Sequence, residues 1–163
     1  MTSFLVGQDR VERALGRALS SKRLAHGLLF AGPPGSGRER AARGLASALL
    51  CERAVLPWGC QECRNCRRAM SGNHPDVHVL MPELEAVRRG IAQPDGKRKP
   101  SADILVDAVR ELVGRMHMAP FEGGARVAIV VDAHRMNVNA QNALLKTLEE
   151  PSARTFLVLI VPH

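Results

Sequence analysis

Tyrosine is absent from this chain of 163 residues, tryptophan occurs once, and aromatic residues together make up only 3% of it. The core must therefore be assembled from Leu, Val, Ile and Ala. Also absent is any apolar stretch long enough to span a bilayer, and "MTSFLVGQDR" has no basic start followed by an apolar leader. A cytoplasmic protein with no membrane partner is expected. Acidic residues are in deficit: 16 Asp and Glu stand against 23 Lys and Arg, a net charge of +7. That surplus permits nucleic-acid contact and serves equally for solubility and protein interfaces. In a reducing compartment the four cysteines read as metal ligands or free thiols rather than disulfides.

The length suits one domain with a sizeable core, residues 1–163. From Val11, the spacing of Leu15, Ala18 and Leu19 predicts a helix, and "LLFA" then reads as a short buried strand. A second helix follows with Ala42, Leu45 and Leu49 on one face. Residues 51–72 break the periodicity, with few aliphatics and four cysteines, three of them among Gln, Glu, Arg and Asn. "DVHVLMP" restores it as a half-buried strand, and residues 82–101, with "GIAQPDGKRKPS", read as a flexible, solvated insertion.

From Asp103 a helix is expected with Leu105, Ala108, Leu112 and Met116 inward, ended by Pro120 and the Gly123–Gly124 pair. "RVAIVV" and "TFLVLIV" are continuous apolar runs, hence strands buried on both faces. Between them "NAQNALLKTLEE" is a helix with Ala140, Leu144 and Leu148 inward. Alternating strands and helices predict an α/β fold: a parallel sheet with helices on both faces. Its ligand crevice lies at the carboxyl ends of the strands, where Gly32 to Gly37 falls.

"GLLFAGPPGSGRER" has the layout of a strand passing through a phosphate loop into a helix. Gly32, Gly35, Ser36 and Gly37 supply backbone shape. Where such a loop carries Lys and then Ser or Thr, this chain has Arg38 and Glu39. Arg38 keeps a positive charge as a broad planar fork; Glu39 puts an anion where a hydroxyl would hold magnesium. A strand-to-helix turn retained without nucleotide is favoured, with ATP and magnesium bound weakly or not at all. At the end of "VAIVVDAHRMN" the only acid is Asp132, and a lone Asp commonly caps a turn; His134 has no orienting carboxylate in the sequence.

Cys51, Cys60, Cys63 and Cys66 are separated by eight, two and two residues. Two-residue gaps let neighbouring thiolates reach one ion, and four thiolates complete the tetrahedron of a structural zinc site. Buried apolar cysteines are the alternative, disfavoured because Gln61, Glu62, Arg64 and Asn65 make a poor core. A cuboidal iron–sulfur cluster is another, but its run needs the fourth Cys soon after Cys66. Four thiolates leave no open position, so the metal would hold residues 51–72 together and not catalyse.

With these residues in view, the chain resembles the bacterial clamp-loader subunits of the AAA+ class, delta-prime above all. The resemblance runs through "LAHGLLFAGPPGSG", the four cysteines, "NHPDVHVL", "VVDAHRMN" and "NALLKTLEEPSARTF". It implies a P-loop AAA+ domain with an inserted zinc module. It also implies a non-hydrolysing subunit of the DNA polymerase III holoenzyme, partnered by gamma/tau and delta sisters that bind ATP. The complex would load a sliding clamp on primer-template DNA. The arginine finger of such subunits lies in a Ser-Arg-Cys motif beyond "TFLVLIV", so the chain is expected to stop before it and before the last strand of the sheet. "LLFA" would then stand at a sheet edge.

The same alignment of motifs puts Val131 where ATPase sisters carry a metal-binding Asp, Asp132 where they carry a catalytic Glu, and Val161 at the polar sensor position. Four altered positions, Arg38, Glu39, Val131 and Val161, imply a subunit that does not hydrolyse ATP. The rivals are an active gamma/tau-type ATPase and a basic zinc-bearing DNA-binding module. The loop speaks against the first. Against the second, the cysteine segment shows no obvious recognition helix, although Arg64, Arg67 and Arg68 could touch phosphates.

Overall fold

In a computed structural model the chain is described at residues 4–122 and 124–162. Its first helix, α1 (Asp9–Ser20), buries Leu15, and the chain turns at Ser21 and Lys22 into β1 (Gly27–Ala31). The glycine loop leads to α2 (Arg38–Leu50), and the cysteine segment contains α3 (Arg64–Ser71). Then follow β2 (Val77–Leu80), the short α4 (Glu83–Arg88) and α5 (Val106–Met116). Next come β3 (Arg126–Val130), a 3-10 turn at Ala133–Arg135, α6 (Val138–Glu149) and β4 (Thr155–Val161).

The four strands form one parallel sheet in the order β1-β4-β3-β2. Gly27 is level with Leu157, Arg126 with Thr155, and Val77 with Val127. All five β3 residues are buried, as a continuous apolar run in a covered parallel sheet requires. Alternation divides the core. Val127, Ile129, Val158 and Ile160 meet Ala42, Leu45 and Ala46 of α2 on one face. Ala128, Val130 and Leu157 meet Val109, Leu112 and Met116 of α5 and Ala140 and Leu144 of α6 on the other. Truncating a fully buried side chain such as Leu45 to Ala would cost about 2–5 kcal/mol.

Several expectations are corrected. Residues 51–72 contain a helix after all: Cys63 caps α3 by accepting the Cys66 amide on its sulfur, and Gly72 closes it in the left-handed conformation. Cys66 and Ala69, three apart, face inward, and Trp58 and Ala69 join the α2-side core. The 82–101 insertion carries α4, and its returning segment is tied back: the Leu84 amide donates to the Ser101 carbonyl at 2.9 Å. Glu83 accepts from Arg98 at 2.7 Å and from the Ser101 amide at 3.2 Å. Leu112 and Met116 of α5 face inward as expected, but Val109 is buried where Ala108 was expected, and Ile104, ahead of the helix, enters the core in place of the exposed Leu105. Gly123, expected to help end α5, lies outside the described residues. β1 pairs only with β4 among the described strands, and Leu29 is 63% exposed, so "LLFA" is an edge strand and not a buried one.

Candidate functional site

Both sequence motifs converge on α2, one at each end of a helix about 20 Å long. At its start, Gly37 is the N-cap residue at φ 84°, and Gly35 is left-handed too, at φ 81°. A Cβ on Gly37 would be strained at that φ and would stand 3.1 Å from Leu5, so the turn requires glycine. The loop borders an apolar cavity of about 420 Å³, lined by Leu5, Val11, Leu15, Phe30 and Ser36 among others. Ser36 Oγ is buried there without a hydrogen-bond partner among the described residues. The shape of a nucleotide loop is therefore present.

The two side chains that would handle phosphate and metal are engaged elsewhere. Arg38 donates from its guanidinium to the Val161 carbonyl at the end of β4, and beside it the Gly32 amide donates to the Pro162 carbonyl at 3.1 Å. Glu39 Oε1 accepts from Arg43 at 3.0 Å, and Glu39 Oε2 accepts from Arg89, just past α4, at 2.7 Å. Burial alone would raise the Glu39 carboxyl, but hydrogen bonds and charge from Arg89 and Arg43 outweigh it and hold the group below its usual value. Arg43 also donates to the Met70 carbonyl at 3.3 Å, linking the loop to the end of α3. Glu39 to Arg43 is an i, i+4 pair legible in the sequence; Arg89, fifty residues on, left no such signal.

Arg38 is thus brought to Val161, whereas Glu39 is held by Arg43 and Arg89. Val131 is buried beyond β3 with its amide donating to the Leu80 carbonyl at 2.8 Å. Asp132 sits at φ 52° at the head of the 3-10 turn, and its side chain makes no capping bond, contrary to the capping role expected of it. His134 is exposed.

At the other end, Cys51 is the C-cap residue of α2. It meets Cys60, Cys63 and Cys66 so that all four sulfurs lie within 4.8 Å of one another. Cys60 and Cys66 sulfurs are 4.0 Å apart. Thiolates on a single tetrahedral zinc, with bonds near 2.3 Å, stand about 3.8 Å apart, and a four-iron cubane would hold them wider. Backbone amides point at the sulfurs: Cys60 N to Cys51 at 3.3 Å, Cys63 N to Cys60 at 3.3 Å, Cys66 N to Cys63 at 3.4 Å. Burial pushes the Cys51 thiol up, but amides of Val55, Cys60 and Arg53 reverse this and bring it down to about 6. Cys66 is pushed up, first by burial and then by the neighbouring Cys63. A fourth thiolate there needs the charge of a cation, which is what a closed metal site supplies.

Residues outside the motif complete this cradle. Gly59 (φ 75°) backs onto the cluster so closely that a Cβ would stand 2.7 Å from Cys66 Sγ and 3.0 Å from the Ser47 backbone. Ser47 Oγ donates to the Cys66 carbonyl at 3.3 Å. Trp58 stacks on Phe4 with ring centroids 5.1 Å apart, and its Nε1 donates to Glu12 at 2.9 Å. Only the lone tryptophan's position beside Cys60 hinted at any of this.

"NHPDVHVL" forms a buried polar knot next to the module. Asp76, with no exposed surface, accepts from the amides of Phe121 and Glu122 at 2.6 and 3.0 Å and from Arg126 at 3.2 Å. Burial opposes its ionisation, yet these donors hold the carboxyl below its usual value. His74 Nδ1 accepts from the Asp76 amide at 3.1 Å, and its Nε2 lies 3.3 Å from Glu122, which also accepts from Arg68 of α3 at 2.7 Å.

A sequence model of the family described as DNA polymerase III, delta subunit, matches residues 7–163. The delta-prime subunit of Pseudomonas aeruginosa DNA polymerase III is 44% identical over 136 residues, 83% of this chain. The chain belongs to the delta-prime clamp-loader family of DNA polymerase III. Bacillus subtilis delta-prime is 38% identical over 94% of the chain, and B. subtilis tau is 34% identical over 98%. This delta-prime family member spans 37% of the length of the Pseudomonas relative, 41% of the Bacillus delta-prime and 25% of tau. A DNA polymerase III gamma subunit-related protein from Thermotoga maritima has the same fold, with a TM-score of 0.52 at 18% identity over 92% of this chain and 38% of its own. Among the described residues no helix is long and apolar enough to cross a membrane.

Proposed function

We propose that this chain serves as the non-hydrolysing partner of ATPase sister subunits in loading a sliding clamp on primed DNA, with a structural zinc ion in its cysteine module. One observation carries the reading: both side chains that would neutralise phosphate and hold magnesium are committed to partners within the chain, Arg38 to Val161 and Glu39 to Arg43 and Arg89. Val131, at the position where the family's ATPases carry a metal-binding acid, offers no ligand in their stead. On this reading the loop end supports a neighbour's site without turning over nucleotide.

Zinc is favoured over other ions because four sulfur ligands in a closed, amide-lined cluster suit a soft, tetrahedral, redox-inert metal. The sisters of gamma/tau and delta type, the clamp and the primer-template are the partners this role requires. A gamma/tau-type motor is the second reading, supported by the identity to tau over nearly the whole chain.

Reconstitution separates the two. Clamp loading by gamma/tau and delta sisters should depend on the full-length protein, and Arg38→Ala in it should leave the ATP hydrolysis of the assembly unchanged. Hydrolysis by the protein alone, abolished by that substitution, would establish the motor instead.

A further inference from the structure

On α2, at α4 and on α5 some of the arginines are neutralised by an acid one turn away. Arg43 pairs with Glu39 on α2, Arg89 with Glu85 at α4, and Arg110 and Arg115 with Asp107 and Glu111 on α5. Helix α1 does otherwise. Arg10, Arg13 and Arg17 are all exposed, and none has an ion pair or side-chain hydrogen bond among the described residues. Asp9 stands at the favourable i, i+4 spacing from Arg13 and is not paired with it. Glu12 faces the other way, where its carboxylate accepts from Trp58.

Helical geometry aligns the three arginines. Spaced i, i+3 and i+7, they fall within about 60° of one another around the axis and along about 10.5 Å of its length. Ser21, small and exposed, continues the line one turn beyond Arg17. Lys22 and Arg23, also exposed, extend the positive charge past the C-terminus of α1. The underside is fixed: Leu15 is buried, Gly16 lies against Pro57, and Trp58 is bonded to Glu12. The helix that carries the stripe is thus anchored, and its three guanidiniums stand exposed on one side of it.

We propose that this stripe of α1 is a docking surface for the phosphate backbone of duplex DNA. One strand of B-DNA presents a phosphate for each 3.4 Å of axis, so about 10.5 Å of helix faces about three phosphates with three guanidiniums. Guanidinium suits phosphate through paired N–H donors, and contact of this kind positions the protein without reading sequence. The choice of DNA among polyanions rests on the clamp-loading reading; the stripe itself does not.

The test is a titration of a fluorescein-labelled duplex of random sequence with the protein across a salt series. Substituting Arg10→Gln, Arg13→Gln and Arg17→Gln together should weaken binding at least tenfold at about 100 mM salt and flatten the log K against log salt slope by about 2.7. A charge-matched control, Arg53→Gln, Arg98→Gln and Arg110→Gln, removes arginines that are paired with acids and should change both far less. Both variants alter exposed side chains, and coincident thermal melts confirm the fold. Equal losses in the two variants would mean a diffuse field and overturn the proposal. So would no binding of the duplex by the unmodified protein at about 50 mM salt, or tighter binding to anionic lipid vesicles than to DNA. Failure to assemble with sister subunits would sink the clamp-loading reading while leaving this titration readable.

Discussion

The two ends of α2 are built from the same kinds of interaction and used in opposite ways. At Arg38 the helix leaves a loop shaped for an anion, yet the side chains there are bonded to one another and to neighbouring backbone. At Cys51 it enters a cluster whose amides and glycine back the sulfurs without supplying the charge that would satisfy them. The loop-end side chains are bonded within the chain; the cysteine end brings together four sulfurs that could hold a metal ion. A motif therefore has to be judged by whether its side chains are free as well as by its backbone shape.

The largest expected difference between the ends follows from removing a cysteine. Cys63→Ser should abolish the bound metal, measured as one zinc per chain in the unmodified protein and none in the variant. Structural zinc is worth on the order of 10 kcal/mol in small sites, so residues 51–72 should lose protection against hydrogen exchange. Because Trp58 and Ala69 lie in the α2-side core, the melting temperature of the whole chain should fall as well. A chain that melts unchanged without metal would erase the contrast.

Next in size is the buried knot beside the module. Asp76→Ala leaves Arg126 buried without its carboxylate and frees the amides of Phe121 and Glu122. Denaturant unfolding should show a loss of about 3–5 kcal/mol. A loss no larger than that of an exposed pair would mean that the knot does not hold the module to the sheet.

At the loop end, Glu39→Thr restores a hydroxyl but releases Arg43 and Arg89. Stability should fall by only about 1 kcal/mol, since the ion pairs are partly exposed. Magnesium-ATP affinity should stay weak until Val131→Asp is added. Strong binding by the single variant would show that Glu39 alone had closed the site.

How much of this was legible beforehand depended on the range of the interactions. The four strands, α2 and the cysteine set follow from apolar runs, glycine placement and ligand spacing, all local signals. α3 was hidden because its apolar positions, Cys66 and Ala69, are few and its cap is a thiol. α4 was hidden because it is only six residues long and its anchor, Ser101, lies beyond a polar, Pro-containing segment. The Arg89–Glu39 bond that sets the character of the loop spans fifty residues, and no periodicity reports it.

The smallest expected effect is on acid stability. Burial lowers the pKa of His74 from 6.5, with the attraction of Glu122 only partly opposing it. The unfolded chain therefore takes up the proton first as pH falls. Stability from this site is full above about 6.5 and is lost as pH drops from there through the depressed folded value. His78 shifts the same way for the same leading reason, burial. Thermal melts of His74→Gln should be flatter over this window than those of the unmodified protein; equal slopes would remove His74 from the balance.

Titration of the protein with a fluorescent ATP analogue, with and without magnesium, tests most directly whether the loop end has lost its chemistry. The expected result is weak binding that magnesium does not strengthen, about a hundredfold below that of a loop with its Lys and hydroxyl in place. Micromolar, magnesium-dependent binding that disappears in Arg38→Ala would contradict it and make the loop a working nucleotide site.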